Sequence, residues 1–341
     1  MNKIRTIICG TKFGQFYIKG VLKSSDKFEL CGIVSRGSER SVQYAKHLNV
    51  PLIKNIDAIN KNDIDLALVV VKSTISGGEG TKIAKKLLEK GISVVQEHPV
   101  FKDEYISLLR TAKSNNCYYY MNTFYTDLVN IDKFIKMSNK ILDTNDIKYI
   151  NAQCSIHVLM PLIDILSKSL KNLKPFKLDV IENFDYSPFS VLIGKVNQIP
   201  INLSIQNEFD SIDPENNILT LHKLVYYTDI GNLQLTGSDG CVLWENKINR
   251  TYNEHEVCDI YSLNESENLK CTEVLNEKGS YTFKEVYYDI WPDCIKKLLN
   301  RVYDDLAVER NIPLAINNQA LLEVFDVWEK IYSELRVPKI I

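Results

Sequence analysis

Long apolar runs are missing from this chain. Its most hydrophobic stretches, such as Leu66 to Val71, are strand-sized, whereas a membrane-spanning helix needs about 18 or more consecutive apolar residues. Near the N-terminus, Ile7-Ile8-Cys9 is too short for the apolar core of a secretory signal and runs into a glycine turn. Excess charge of one sign is missing as well: 41 Lys plus Arg against 43 Asp plus Glu leave a formal −2. That balance gives no electrostatic reason to gather on phosphate backbones or anionic lipid. Eight cysteines (9, 31, 117, 154, 241, 258, 271 and 294) include no Cys-x-x-Cys pair, and five histidines (47, 98, 157, 222 and 255) show no metal-ligand spacing. These absences argue against a nucleic-acid binder, a membrane protein, a disulfide framework and a metal site. The cysteines read as small buried hydrophobes in a reducing compartment, so the expected location is cytoplasmic.

What is present is an ordinary globular composition, 45% apolar and 25% charged over 341 residues, enough for two domains. The first 125 residues alternate strands with helices. Strands are expected at Ile4 to Cys9, Phe28 to Val34, Ile64 to Val71, Ile92 to Val95 and Tyr118 to Met121. Helices are expected at Phe16 to Ser24, Arg40 to Leu48, Thr81 to Lys90 (stopped by Gly91) and Glu104 to Ser114. Such alternation means βαβ units and a parallel sheet. After about residue 145 the candidates are successive strands with short turns: Ile147 to His157, Phe176 to Asn183, Phe189 to Val196, Ile199 to Phe209, Leu219 to Thr228 and Asn232 to Leu235. Short turns favour antiparallel pairing. Helices are expected at Pro161 to Leu173, Pro292 to Val308 and Asn318 to Leu335, and the polar stretch Asn246 to Lys270 reads as an irregular excursion. The fold class is therefore α/β plus α+β, with an N-terminal parallel-sheet domain over residues 1–125 and a mostly antiparallel domain over 126–341.

The turn after the first strand reads Cys9-Gly10-Thr11-Lys12-Phe13-Gly14. A dinucleotide fingerprint places Gly at the first, third and sixth positions, and Gly14 alone keeps its place. Gly10 supplies the tight turn one residue late, Thr11 offers its amide and hydroxyl, and Phe13 leads into the helix. The plain alternative is a βα turn that needs glycine for packing alone. About twenty residues on, where the ribose is read, stands Ser35-Arg36-Gly37-Ser38-Glu39-Arg40 rather than an acidic strand end. Arg36 can bind a 2′-phosphate bidentately, with Ser35, Ser38 and Arg40 nearby, which selects NADPH. The alternative is a solvated basic loop with Ser38 as a helix N-cap. Further loops at carboxyl ends of the parallel strands carry Ser73, Thr74 and Gly78, then Gln96-Glu97-His98-Pro99, then Asn122-Thr123-Phe124-Tyr125. His98 and Tyr125 are candidate proton donors beside a nicotinamide, with ordinary structural residues as the alternative.

The Rossmann half, the Glu-x-Pro turn and the later antiparallel sheet resemble the Gfo/Idh/MocA oxidoreductases, whose members usually carry lysine where His98 stands. More narrowly, Cys-Gly-Thr-Lys-Phe-Gly-Gln-Phe-Tyr at 9 to 17, Ser-Arg-Gly-Ser-Glu-Arg-Ser at 35 to 41, Ser-Thr-Ile-x-Gly-Gly-x-Gly at 73 to 80 and Gln-Glu-His-Pro at 96 to 99 resemble the thiazolinyl imide reductases of siderophore biosynthesis. The resemblance implies NADPH-dependent reduction of a thiazoline C=N to a thiazolidine on an intermediate tethered to a nonribosomal peptide synthetase carrier domain. It implies His98 and Tyr125 as the acids, and Gly10, Thr11, Phe13, Gly14, Ser35, Arg36, Ser38, Arg40, Ser73, Thr74, Gly78, Glu97 and His98 around the cofactor. Two alternatives stay open, a sugar or cyclitol dehydrogenase of the broad family and a non-catalytic NADP(H)-binding sensor. A homodimer or larger homo-oligomer is expected, because an open antiparallel sheet face exposes apolar area.

Overall fold

Strand β1 (Ile4–Cys9) leads through helix α1 (Gly14–Leu22) to β2 (Phe28–Val34), then α2 (Glu39–His47), β3 (Leu52–Ile53), β4 (Leu66–Val69), α3 (Gly80–Glu89), β5 (Ser93–Glu97), α4 (Lys102–Ser114) and β6 (Tyr119–Asn122). There follow α5 (Val129–Leu142), β7 (Ile147–Ser155), α6 (Leu159–Leu170), β8 (Phe176–Asn183), β9 (Phe189–Val196), β10 (Ile199–Gln206), β11 (Glu208–Phe209), β12 (His222–Thr228), β13 (Gly231–Leu235), β14 (Val242–Asn246) and β15 (Thr272–Val274). The chain ends with α7 (Phe283–Glu285), a π-helical turn (Val286–Ile290), α8 (Trp291–Ala307), α9 (Leu314–Glu334) and β16 (Lys339–Ile340). This computed structural model describes residues 3–73, 77–210, 216–248, 268–307 and 314–340. The chain divides into two units, residues 1–128 with 282–329, and residues 129–281 with 330–341.

In the first unit β1 to β6 form one parallel sheet in the order β3-β2-β1-β4-β5-β6. All four residues of β4 are buried, as a strand covered on both faces requires. Helix α2 begins one residue before the expected Arg40, at the cap that Ser38 offers: its hydroxyl accepts from the Ser41 amide, with Glu39 in the first turn and Lys46 and His47 in the last. Gly91, at φ +76°, closes α3 with amide bonds from Gly91 to Leu88 and from Ile92 to Leu87. Strand order reverses between β1 and β4, so the carboxyl ends there open a crevice of the kind in which ligands of such sheets bind.

In the second unit eight strands run β15-β14-β13-β12-β7-β10-β9-β8. Every neighbouring pair is antiparallel except β7 with β10, which lie parallel. Helix α6 is buried at eleven of its twelve positions. The Ser138 hydroxyl of α5 donates to the Ser169 carbonyl of α6 at 2.8 Å, and Phe134 of α5 meets Tyr226 of β12 at 4.9 Å between ring centres. Tyr149, Val180, Ile193 and Tyr227, on strands of this sheet, remain exposed.

Several sequence expectations are corrected. The expected boundary at 125/126 assigns both C-terminal helices to the second domain, but α8 and most of α9 lie in the first unit. The cause is packing: a Cβ added to Gly20 of α1 would lie 2.4 Å from Ile295 Cγ2 of α8. The strand expected over Ile199 to Phe209 breaks at Asn207, whose amide donates to the Pro188 carbonyl, and β11 instead pairs with β16. The strand expected from Leu219 starts at His222. Helix α5 was not anticipated. Of the expected excursion from Asn246 to Lys270, residues 249–267 lie outside the described residues.

Candidate active site

The predicted site residues among the described ones belong to the first unit, at or near the carboxyl ends of its strands. After β1, Gly10 adopts φ +91°, and a Cβ there would meet the Val70 carbonyl at 2.5 Å, so only glycine fits. Its amide donates to the Val34 carbonyl at 3.0 Å, tying the turn to β2. Gly14 opens α1 and is buried. A helix starting here directs its first-turn amides and positive dipole end at the crevice, the arrangement that binds a pyrophosphate. Phe13 packs edge-on against Phe16 and Phe124, 5.2 and 5.3 Å between ring centres, and lies 5.6 Å from Trp291.

The basic loop after β2 divides its tasks. The Arg40 Nε donates to the buried Thr11 hydroxyl at 3.4 Å, joining loop and turn. Ser35 donates to Ser41 at 2.8 Å and accepts from the Gly37 amide at 3.3 Å, while Ser38 caps α2. Arg36 instead reaches Glu79 at 2.8 Å, with its own side chain 89% exposed. Glu79 lies beside Gly78, where a Cβ would strike the Lys72 carbonyl at 2.0 Å. The buried Ser73 hydroxyl donates to the Pro99 carbonyl, and its own carbonyl accepts from the Gly78 amide at 2.8 Å. Thr74 lies outside the described residues. Glycine-lined backbone and a helix N-terminus together fit a bound dinucleotide.

The ends of β5 and β6 bring together Glu97, His98 and Tyr125, and add Tyr17 and Asn122, which sequence reasoning did not single out. Glu97 Oε2 accepts from the Tyr17 hydroxyl and from Asn122 Nδ2 at 3.4 Å, and Asn122 Nδ2 also donates to the Tyr17 oxygen at 2.6 Å. Burial, and then the adjacent Glu97 carboxylate, push the Tyr17 phenol well above its ordinary value. His98 Nδ1 lies 2.6 Å from Glu97 Oε1 and 3.2 Å from the Asn122 carbonyl oxygen. Although that first distance is short, Glu97 Oε1 makes no well-formed hydrogen bond among the described residues; the Asn122 carbonyl has the better geometry for the ring N–H.

Tyr125 is placed by a strained turn. Phe124 sits at φ +65°, ψ −60°, and the Tyr125 amide donates to the Thr123 carbonyl at 2.7 Å, which makes a classic γ-turn. Asn122 Oδ1 steadies it by accepting from the Phe124 amide at 3.1 Å. The Tyr125 ring, 7% exposed, stands edge-to-face with His98, 6.2 Å between centres. A rare backbone conformation next to two proton-bearing rings is the kind of strain that collects at functional sites.

Residues 4–123 match the oxidoreductase family profile with an NAD-binding Rossmann fold, GFO_IDH_MocA, and residues 145–245 match that of the thiazolinyl imine reductase Irp3-like C-terminal domain. The N-terminal part of the chain is similar to the Gfo/Idh/MocA oxidoreductases, and a later part to the Irp3-like C-terminal domain. The chain is thus an NAD(P)-dependent oxidoreductase. No curated protein matches it in sequence. Among solved structures it is similar to a dehydrogenase (MviM) of Clostridium difficile, with TM-score 0.67 and 15% identity over 98% of this chain and 100% of that one. A Synechocystis biliverdin reductase solved with biliverdin and NADP+ gives TM-score 0.64 and 14% identity over 96% and 98% of the two chains. The WlbA dehydrogenase of Bordetella pertussis, solved with NADH and UDP-GlcNAcA, gives TM-score 0.65 and 10% identity over 97% and 95%. At such identities these structures speak for the fold alone. No helix among the described residues is long and apolar enough to cross a membrane.

Proposed function

We propose that this oxidoreductase uses NADPH to reduce a thiazoline C=N to a thiazolidine while the substrate is tethered to a nonribosomal peptide synthetase carrier domain in siderophore biosynthesis. The observation that carries the reading is His98 beside Tyr125 at the strand ends, in place of the family's usual lysine, in a chain whose second domain matches an Irp3-like reductase. That replacement disfavours a sugar or cyclitol dehydrogenase.

Reduction of an imine places a hydride on carbon and a proton on nitrogen. The bound cofactor supplies the hydride. The chain's part is to hold and orient. The Gly10–Gly14 turn and the start of α1 take the pyrophosphate, with Thr11 and Phe13 at its edge. Arg36, Ser38 and Arg40 take the 2′-phosphate, and Ser35 shapes their loop. Ser73 and Gly78 would wall the crevice, with Glu97 and His98 at the nicotinamide end. Tyr125 or His98 delivers the proton, the other orienting substrate or water. The exposed face of the second unit's sheet meets a second copy in a homodimer or larger homo-oligomer, which light scattering on the purified protein tests.

Fluorescence titration with NADPH and with NADH, followed by NADPH oxidation with a carrier-bound thiazoline, tests the reading. Tight NADPH binding, weak NADH binding and thiazoline-dependent oxidation are expected. Tyr125→Phe and His98→Ala should each lower turnover by about 10²-fold or more while retaining NADPH binding. Binding without oxidation of any thiazoline would make the protein a sensor, and absence of binding would remove the cofactor reading.

A further inference from the structure

Both acceptors that face His98 Nδ1 lack a hydrogen of their own to give. One is the backbone oxygen of Asn122 at 3.2 Å, and the other is the Glu97 carboxylate, whose Oε1 stands 2.6 Å away. The second oxygen of that carboxylate already accepts from Tyr17 and from Asn122, which locks its plane. Glu97 and His98 have side chains only 11% and 10% exposed, so water cannot freely supply the missing partner of Oε1.

We infer that Glu97, held by Tyr17 and Asn122, is a positioning residue that, together with the Asn122 carbonyl that takes the ring hydrogen bond, biases His98 to the tautomer with its hydrogen on Nδ1 and Nε2 left as a hydrogen-bond acceptor. Free histidine prefers the opposite form. The consequence is directional: neutral His98 has no hydrogen to give from Nε2, so it orients a donor there, and it delivers a proton from Nε2 only as the imidazolium. The chemical use of that acceptor rests on the reductase reading; the tautomer does not.

Long-range proton–nitrogen NMR of the ligand-free protein at about pH 8.5, well above the ordinary histidine range, reads the tautomer directly, with His98 assigned by the signals lost in His98→Asn. The expected pattern is a protonated-type Nδ1 and an unprotonated-type Nε2. Glu97→Gln, which sets an amide donor against Nδ1, should move His98 toward the Nε2–H form. Tyr17→Phe should produce a smaller movement in the same direction, and carries the test where Glu97→Gln does not fold. An Nε2–H ring in the unmodified protein would overturn the tautomer assignment. An unchanged pattern in the folded Glu97→Gln protein, or in Tyr17→Phe if that is the variant that folds, would overturn the positioning role. Failure of thiazoline turnover, by contrast, would strike the reductase reading and leave the tautomer standing.

Discussion

Arg36 extends from the end of β2 with its guanidinium paired to Glu79 at 2.8 Å in an exposed ion pair, an interaction that stabilises by at most about 1 kcal/mol. A 2′-phosphate offers more charge and a bidentate geometry, so it should displace Glu79 readily. Arg36→Ala is expected to weaken NADPH binding by about tenfold, equivalent to about 1.4 kcal/mol, and to leave NADH binding almost unchanged. Parallel titrations check this, and an equal loss for both cofactors would remove Arg36 from the 2′-phosphate. The glycine turn after β1, the basic loop after β2 and the closeness of His98 to Tyr125 were legible in sequence because each sits in a short motif at a strand end. Tyr17 and Asn122 were not, since they are 80 and 25 residues from the carboxylate they hold. No local pattern distinguishes Tyr17 from any other apolar-face residue of an amphipathic helix. The Phe124 γ-turn was equally hidden, because no glycine marks its positive φ.

Helix α8 meets α1 at Gly20, where a Cβ would lie 2.4 Å from Ile295 Cγ2. In an isolated helix Gly→Ala is favourable by about 1 kcal/mol, but here the added methyl forces Ile295 out of its place, at a cost of about 1–3 kcal/mol. Gly20→Ala should therefore destabilise the protein, and in an Ile295→Ala background, which removes Cγ2 but keeps a Cβ 2.7 Å from the added methyl, the same change should cost less. Chemical denaturation of the four proteins measures the coupling, and additive effects would show that α1 and α8 do not depend on this contact. The same contact explains what the sequence could not convey. Most strands and helices were readable from periodicity and caps, several to within a residue or two, because those signals are local. That α8 belongs with the parallel sheet depends on a glycine 275 residues upstream, and the boundary near residue 128 gives no hint of the return. The parallel neighbours β7 and β10 were hidden for a related reason: the hairpin β9–β10 is local, but its placement beside β7 is not.

Across the whole molecule, buried thiols and phenols are unevenly shared between the two units. In the first, burial raises the pKa of Cys9 to about 12 and of Cys117 to about 11, and also raises those of Tyr17, Cys31, Tyr105, Tyr119, Tyr120 and Cys294. In the second, the described residues so affected are Cys154 and Tyr226. A group whose folded value is raised contributes its stability fully below its unfolded value. It loses that contribution as pH climbs from there toward the folded value. For Cys and Tyr the loss begins between about pH 8.5 and 10, and each group that stays protonated only in the folded state removes up to about 1.4 kcal/mol per pH unit. Eight such groups against two make the first unit the more alkali-sensitive. Alkaline unfolding should begin there, with phenolate absorbance rising in a cooperative step rather than as independent titrations. Trp291 and Trp328 report on the first unit and Trp244 on the second, so Trp244→Phe should leave the earlier fluorescence transition intact and remove the later one. A single transition shared by all three tryptophans would mean that the two units unfold as one cooperative body, and that their unequal loads of buried acids are balanced by coupling between them.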